Sequence, residues 1–273
     1  MKKALFSIAV AVTLLFCLFP FAWTLLTALK PPADVFALPI TYWPEAFSTQ
    51  SFSDVFLKRD FGTYIVNSFV VSGGGTLLTI VLAAATAFYL RQLPVVRALA
   101  LQRRLLILAI LPPTLLVIPV FAAVRELGLV NNYLGLIAAY TFLNYPFAVW
   151  MLYAAFGKIP KSLDEAALMD GFSRTGILVR ILLPLAKPSV AVASLFVFIF
   201  NWNEFLLALT LMPDEQMYTV PVAISMLSGA SVYELPWGEI NAAVTITTLP
   251  LIVMVALFQK WIVSGLTSGS VKG

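Results

Sequence analysis

Six runs of 20 or more mostly apolar residues divide the chain: 5–29, 64–90, 105–124, 134–156, 189–211 and 242–263. A hydrocarbon core about 30 Å thick takes about 20 helical residues to cross. Helices suit runs of this kind because each satisfies its own backbone hydrogen bonds away from water. The expected fold is therefore an all-α membrane protein with six transmembrane helices. Composition agrees: 61% of the 273 residues are hydrophobic and only 11% are charged, too few charges to coat a soluble domain.

Several chemistries are excluded at once. The sequence has no His and a single Cys. It can form no internal disulfide and no Cys/His zinc site, and it offers no His base for a nucleophile. Neither paired carboxylates nor a metal-ligand cluster stands out, so no metal, no cofactor and no covalent catalysis are expected. The formal charge of +4 is spread between the apolar runs, which argues against nucleic acid and for membrane topology. Lys2 and Lys3 followed by an apolar run look like a leader. That run is too long for one, however, no small-x-small cleavage site follows it, and Phe16 before Cys17 is poor for lipoprotein processing. An uncleaved first helix is expected.

Basic residues set the orientation. With the N-terminus in the cytoplasm, the inner side holds Lys2, Lys3, Arg91, Arg97, Arg103, Arg104, Lys158, Lys161, Arg174, Arg180, Lys187, Lys260 and Lys272. The outer side holds only Lys30, Lys58, Arg59 and Arg125. Both termini are then cytoplasmic, as is the segment "GKIPKSLDEAALMDGFSRTGILVRILLP" between the fourth and fifth runs. Ser162, three residues before Glu165, forms the pattern of a capping box. Gly171 suits a left-handed helix stop, and Ser173 can cap a second helix running to about Leu183, broken by Pro184 and Pro188. Small residues at Ala166 and Ala167 suit a helix seated closely in a protein groove better than one skimming lipid.

Glu165-Ala166-Ala167, three residues, Gly171, nine residues, Ile181, one residue and Leu183-Pro184 resemble the "EAA" signature of bacterial ABC-importer permeases at every consensus position. "NSFVVS" from residue 67, "FNWNEFLLAL" from residue 200 and the tail "GLTSGSVKG" from residue 265 resemble the carbohydrate-uptake branch, and within it the second permease of the maltose type. The resemblance covers nearly the whole chain. It implies a single permease subunit whose transmembrane domain spans about 62–263, preceded by one extra span at 5–29. It implies a cytoplasmic coupling helix formed by Glu165, Ala166, Ala167, Leu168, Met169, Asp170 and Gly171, docked into a dimer of ATP-binding subunits. It also implies tail contacts to those subunits from Gly265, Ser268 and Lys272. The further partners would be a second, homologous permease and an extracytoplasmic sugar-binding protein, the latter met by the outer loop at Ser228, Gly229, Ala230 and Ser231. The chain itself has no GxxxxGK[ST] loop. Its nearest glycine cluster, "SGGGT" from Ser72 to Thr76, has no Lys and reads as close helix packing. ATP hydrolysis therefore belongs to another polypeptide.

Glu204 is the one acidic residue inside an apolar run, a costly position unless it faces protein or water. On a continuous helix it would share a face with Asn201, and Ser194 would lie on the same stripe. Ser194, Asn201, Trp202 and Glu204 are candidates for a sugar pathway, with Trp202 as a stacking platform. Hydrogen bonding between helices is the alternative. Pro112, Pro113 and Pro119 are expected to break the third span, and Pro250, beside Thr245, Thr247 and Thr248, to interrupt the sixth. A permease for another solute and an ion-coupled secondary carrier using Glu204 are the rival functions, although no inverted repeat supports the carrier.

Overall fold

The computed structural model describes residues 2–37, 39, 41–227 and 235–267. Every regular element among them is helical. In order they are α1 (Lys2–Ala28), α2 (Gln50–Leu57), α3 (Phe61–Gln92), α4 (Val95–Ile110), α5 (Pro113–Glu126), α6 (Tyr133–Gly157), α7 (Ser162–Met169), α8 (Arg174–Leu185), α9 (Lys187–Asn203), α10 (Leu206–Leu211), α11 (Val220–Met226) and α12 (Trp237–Thr267). Among the described residues, four helices are long and apolar enough to cross a membrane, and the number is six if two sharply bent helix pairs each count as one span.

The helices fall into two compact units. One draws on residues 1–65 and 220–252. Its α1 is apolar all round, and of its residues only Thr27 and Ala28 are buried. A helix of that kind needs lipid or another helix around it. After α1 the chain folds back, with the Lys30 ammonium lying over the Trp23 ring and donating to the Thr41 carbonyl at 2.6 Å. An ion pair between Arg59 and Glu239 at 2.9 Å ties α12 to the segment before α3.

The second unit, residues 66–219 and 253–273, contains the long EAA-bearing loop. Its core is one apolar cluster contributed by Ala83, Ala84 and Ala87 of α3, Leu152 and Phe156 of α6, Ala167 of α7, Leu182 of α8 and Val197 of α9. Alanines on α3 let neighbouring helices come close, which is how helices associate where lipid removes the hydrophobic drive between them. The glycine cluster tightens the same seam: a Cβ on Gly75 would lie 3.0 Å from Asn201 Nδ2 and 3.2 Å from Tyr140 Cβ.

Where the structure departs from the sequence reading, local chemistry accounts for it. The third run is not a straight span. It is divided between α4, which begins well before residue 105, and α5, and the two meet at 97°. Leu111 and Pro112 are both extended (ψ 133° and 128°), since a residue followed by proline is pushed out of the helical region. The fifth run is interrupted at Glu204, and a bend lies just before the run begins. The chain turns by 85° between α8 and α9 at Ala186, so Pro184 lies inside α8 rather than ending it. A wider π turn over 178–182 precedes it and shifts the hydrogen bonding where a proline ring would otherwise clash. Pro119 and Pro250, expected to break their helices, lie within unbroken α5 and α12. Near Pro250, Thr245, Thr247 and Thr248 donate back to carbonyls of their own helix at 2.7–2.8 Å, the kind of local bonding that keeps a proline-bearing helix intact in lipid.

Candidate functional site

The EAA loop is built on α7, a two-turn helix too short to persist alone in water. Three features hold it. At its start, the anticipated capping box does not form. Lys161 is already helical (φ −67°, ψ −24°) and no side chain caps the end. The amides of Leu163 and Asp164 bond instead to the carbonyls of Pro160 and Lys161 at 3.3 and 2.9 Å, which places Ser162 inside the helix instead of before it. At its end, Gly171 takes φ +81°. Its amide bonds to Leu168 O at 3.1 Å, and that of Phe172 to Ala167 O at 2.9 Å. These two bonds make a Schellman stop. Phe172 then packs on the cluster that contains Ala167. Ser173 caps α8 as expected, its hydroxyl accepting from the Gly176 amide at 3.1 Å.

The third feature has no counterpart in the sequence reading. Arg91, at the last turn of α3, is buried, and its guanidinium reaches five acceptor oxygens between the end of α6 and the start of α7. Nε donates to Asp164 Oδ2 at 2.8 Å, and Nη2 donates to Asp164 Oδ1 at 3.3 Å and to Pro160 O at 3.2 Å. Nη1 donates to Ile159 O at 2.9 Å and to Phe156 O. No local pattern announces this clasp, because its partners lie 65 to 73 residues away in the chain. Only a comparison of many related sequences would have exposed the pair.

The two alanines of the motif divide in role. Ala167 is 4% exposed and belongs to the subunit's own core, with Phe156, Ile177 and Leu182. Its small size is required from inside, not by a groove on another protein. Glu165, Ala166 and Asp170 are exposed, and so are Leu168 (50%) and, most of all, Met169 (89%). Beside them opens a cleft of about 550 Å³ lined by Asp170, Gly171, Phe172, Ser173, Thr175, Gly176 and Arg180. An exposed apolar pair thus sits on a clasped helix beside this cleft. Gly171→Val tests the stop itself. A Cβ there meets nothing within 4 Å, so the whole cost is backbone strain, about 1–3 kcal/mol. The expected outcome is an inserted subunit whose α7–α8 corner is cut by protease faster than in the parent, whereas equal cleavage rates would contradict it.

The candidate pathway residues lie apart from one another in environment. Asn201 is 2% exposed: it accepts from Asn144 Nδ2 at 2.9 Å and donates to Ser72 O and Thr76 Oγ1, each at 3.4 Å. Trp202 is buried against Phe69 and Phe198, with ring centroids 4.8 and 5.7 Å away. Glu204 does not share a helix face with Asn201, because α9 ends at Asn203 and Glu204 is extended (ψ 131°). Its carboxylate accepts from the Leu207 and Ala208 amides at 2.8 and 3.1 Å, closing the open N-terminus of α10. The Tyr140 hydroxyl is buried beside that carboxylate without a well-formed hydrogen bond. Ser194 bonds back to Val190 O at 2.8 Å and lines a small cleft of about 240 Å³ with Gly73, Thr76, Phe198, Met254 and Phe258. The expected outer contacts Ser228, Gly229, Ala230 and Ser231, and the tail residues Ser268 and Lys272, lie outside the described residues, as does any placement of side chains around Gly265.

Comparison with known proteins places this geometry. Residues 75–268 match the family described as "Binding-protein-dependent transport system inner membrane component". The chain is 36% identical, over 99% of its length and 94% of the relative, to the sulfoquinovosyl glycerol transport system permease protein SmoH of Agrobacterium fabrum. It is 35% identical, over 100% of its length and 98% of the relative, to the trehalose/maltose transport system permease protein MalG of Thermococcus litoralis. The fold is shared with a bacterial ABC transporter involved in the import of the polysaccharide alginate, at a TM-score of 0.79 and 21% identity, over 95% of this chain and 97% of that one. This chain therefore belongs to the family of inner-membrane components of binding-protein-dependent transport systems, non-catalytic permease subunits whose ATPase is a separate polypeptide.

Proposed function

We propose that this chain is one of two permease subunits of an ATP-driven sugar importer and that α7 is its coupling helix. The sugar assignment is supported by relatives over nearly full length that are permeases for sulfoquinovosyl glycerol and for trehalose and maltose. The coupling role rests on one observation above the rest: α7 turns Ala167 inward and leaves Leu168 and Met169 exposed. ATP closes a dimer of nucleotide-binding subunits, α7 follows as a lever, and the spans swing from inward-open to outward-open. Moving such an equilibrium from 1:99 to 99:1 takes about 5.5 kcal/mol of differential interaction. The remaining partners are a homologous permease and an extracytoplasmic sugar-binding protein. Ser228, Gly229, Ala230 and Ser231 are proposed to meet the binding protein, and Gly265, Ser268 and Lys272 the ATPase. Asn201 and Trp202 are read as scaffold and Glu204 as the cap of a broken span; Ser194 lines a cleft.

The test is ATP hydrolysis by the reconstituted complex with its binding protein, titrated with trehalose, maltose and a glycosyl glycerol. Stimulation by at least one glycoside is expected. Stimulation by amino acids alone, or uptake driven by an ion gradient without ATP, would contradict the reading.

Both termini and α7 are proposed to lie in the cytoplasm. Lys187 and Lys260 flank the Trp261 ring at 6.0 and 5.1 Å, as basic and aromatic residues do at a membrane boundary. In a background lacking the exposed Cys17, cysteines at Ser173 and Lys58 are expected to react with impermeant reagents from opposite sides. Reaction of both from outside intact cells would invert the assignment.

A further inference from the structure

Helix α3 is gripped at both ends by buried side chains that hold backbone from distant segments. Near its start, Asn67 is buried. Its Nδ2 donates to the carbonyls of Gln216 and Tyr218 at 2.8 and 2.9 Å, and its Oδ1 accepts from the Tyr133 hydroxyl at 2.6 Å. Near its end, Arg91 holds Phe156 O, Ile159 O, Pro160 O and both oxygens of Asp164. Between the two, α3 runs without a break and contains no proline, and at 1.5 Å per residue that stretch measures about 36 Å. The guanidinium fills its donors with a carboxylate and three carbonyls in one fixed plane, a task a lysine ammonium cannot copy. Two of the carbonyls, Ile159 O and Pro160 O, belong to the turn from which α7 starts, and the third, Phe156 O, to the last turn of α6, so α7 cannot tilt at its first turn without breaking bonds that are buried and costly to lose.

We propose that Arg91 is a positioning residue of the transport cycle: it locks α7 to α3, so that a displacement of α7 is carried along α3 as a rigid body to the 216–218 segment held by Asn67. The proposal rests on the reading of α7 as the element that docks on the ATPase. Arg91 then supplies a discrete mechanical connection from the lever to the far side of the membrane, in place of mere spatial intermediacy. Burial alone would make Arg91 structural. What sets it apart is that it holds Asp164 on α7 together with Ile159 O and Pro160 O of the turn that must move with the lever.

The experiment uses the complete permease–ATPase complex in proteoliposomes, with Gln216→Cys as reporter in a Cys17→Ser background and a non-hydrolysable ATP analogue as the probe. Three quantities are read: co-purification of the ATPase, the thiol-labelling rate at position 216 with and without the analogue, and the distance between spin labels at Ser162 and Tyr89. With Arg91 intact, the analogue is expected to change the labelling rate about 5- to 150-fold, the span of typical coupling factors, while the distance between the two labels stays fixed. Arg91→Met is expected to keep its ATPase, lose the labelling response and broaden the distance. Arg91→Lys should fail in the same way, and Asp164→Asn should be milder, because the three carbonyl bonds remain. If Arg91→Met does not assemble, Arg91→Lys and Asp164→Asn decide. An assembled variant of either kind with a full labelling response and a fixed distance overturns the lock, as does an assembled Arg91→Met that behaves like the parent. If the parent complex itself shows no response to the analogue, the docking reading of α7 fails and the lock falls with it.

Discussion

Met169→Glu is expected to strip the subunit of its ATPase while leaving it folded and inserted. Met169 is 89% exposed and supports nothing inside its own chain, so the change should cost the isolated subunit less than about 0.5 kcal/mol. In an apolar socket on a partner, an unpaired carboxylate costs about 3–5 kcal/mol, more than a hundredfold in affinity. Co-purification of the ATPase should therefore be lost at an unchanged melting temperature of the solubilised subunit. The neighbouring alanine should behave in the opposite way. Ala167→Trp drives a large ring into the subunit's own core, where overpacking costs about 1–3 kcal/mol or more, so it should lower the melting temperature before docking is even measured. Wild-type amounts of ATPase on Met169→Glu would remove the exposed face of α7 from the docking surface.

Gly75→Leu is expected to cost about 2–6 kcal/mol and to empty the membrane of folded subunit. Any Cβ there already presses on Asn201 Nδ2 and Tyr140 Cβ. The rest of a leucine would push apart α3, α6 and α9, giving overpacking of about 1–3 kcal/mol and an Asn201 torn from its bonds to Ser72 and Thr76, with a similar penalty for polar groups left unpaired. Gly73 provides the control. Nothing lies within 4 Å of its Cβ position, so Gly73→Ala should be neutral or stabilising by up to about 1 kcal/mol through helix propensity. Subunit yield and melting temperature in detergent measure both, and equal behaviour of the two variants would refute the close three-helix junction.

These contrasts mark where the sequence is readable and where it is not. Apolar runs locate the helices because lipid imposes the length of a span. Gly171 and Ser173 were legible because a helix stop and an N-cap are local problems with few solutions. The capping box at Ser162 fails for a reason outside the loop: Arg91 on α3 holds Ile159 O, Pro160 O and Asp164 around it, and the chain is already helical at Lys161. The pairing of Asn201 with Glu204 failed because α9 stops between them. A carboxylate three and four residues before the first amides of a helix is a capping signal, but a continuous apolar run masks it. The bend at Pro112-Pro113 was visible as a break but not as a 97° corner, since a proline pair says where a helix ends and not where the next one points. Arg91 looked like one more basic residue on the inner side. Only tertiary structure reveals that it is buried and paired with Asp164.

The most direct test of the central claim is a photo-crosslinking amino acid placed at Met169 in the assembled complex in its native membrane. The account predicts a covalent adduct with the nucleotide-binding subunit, in a yield that changes when ATP is bound. Adducts confined to lipid, in a complex that still carries its ATPase, would contradict it.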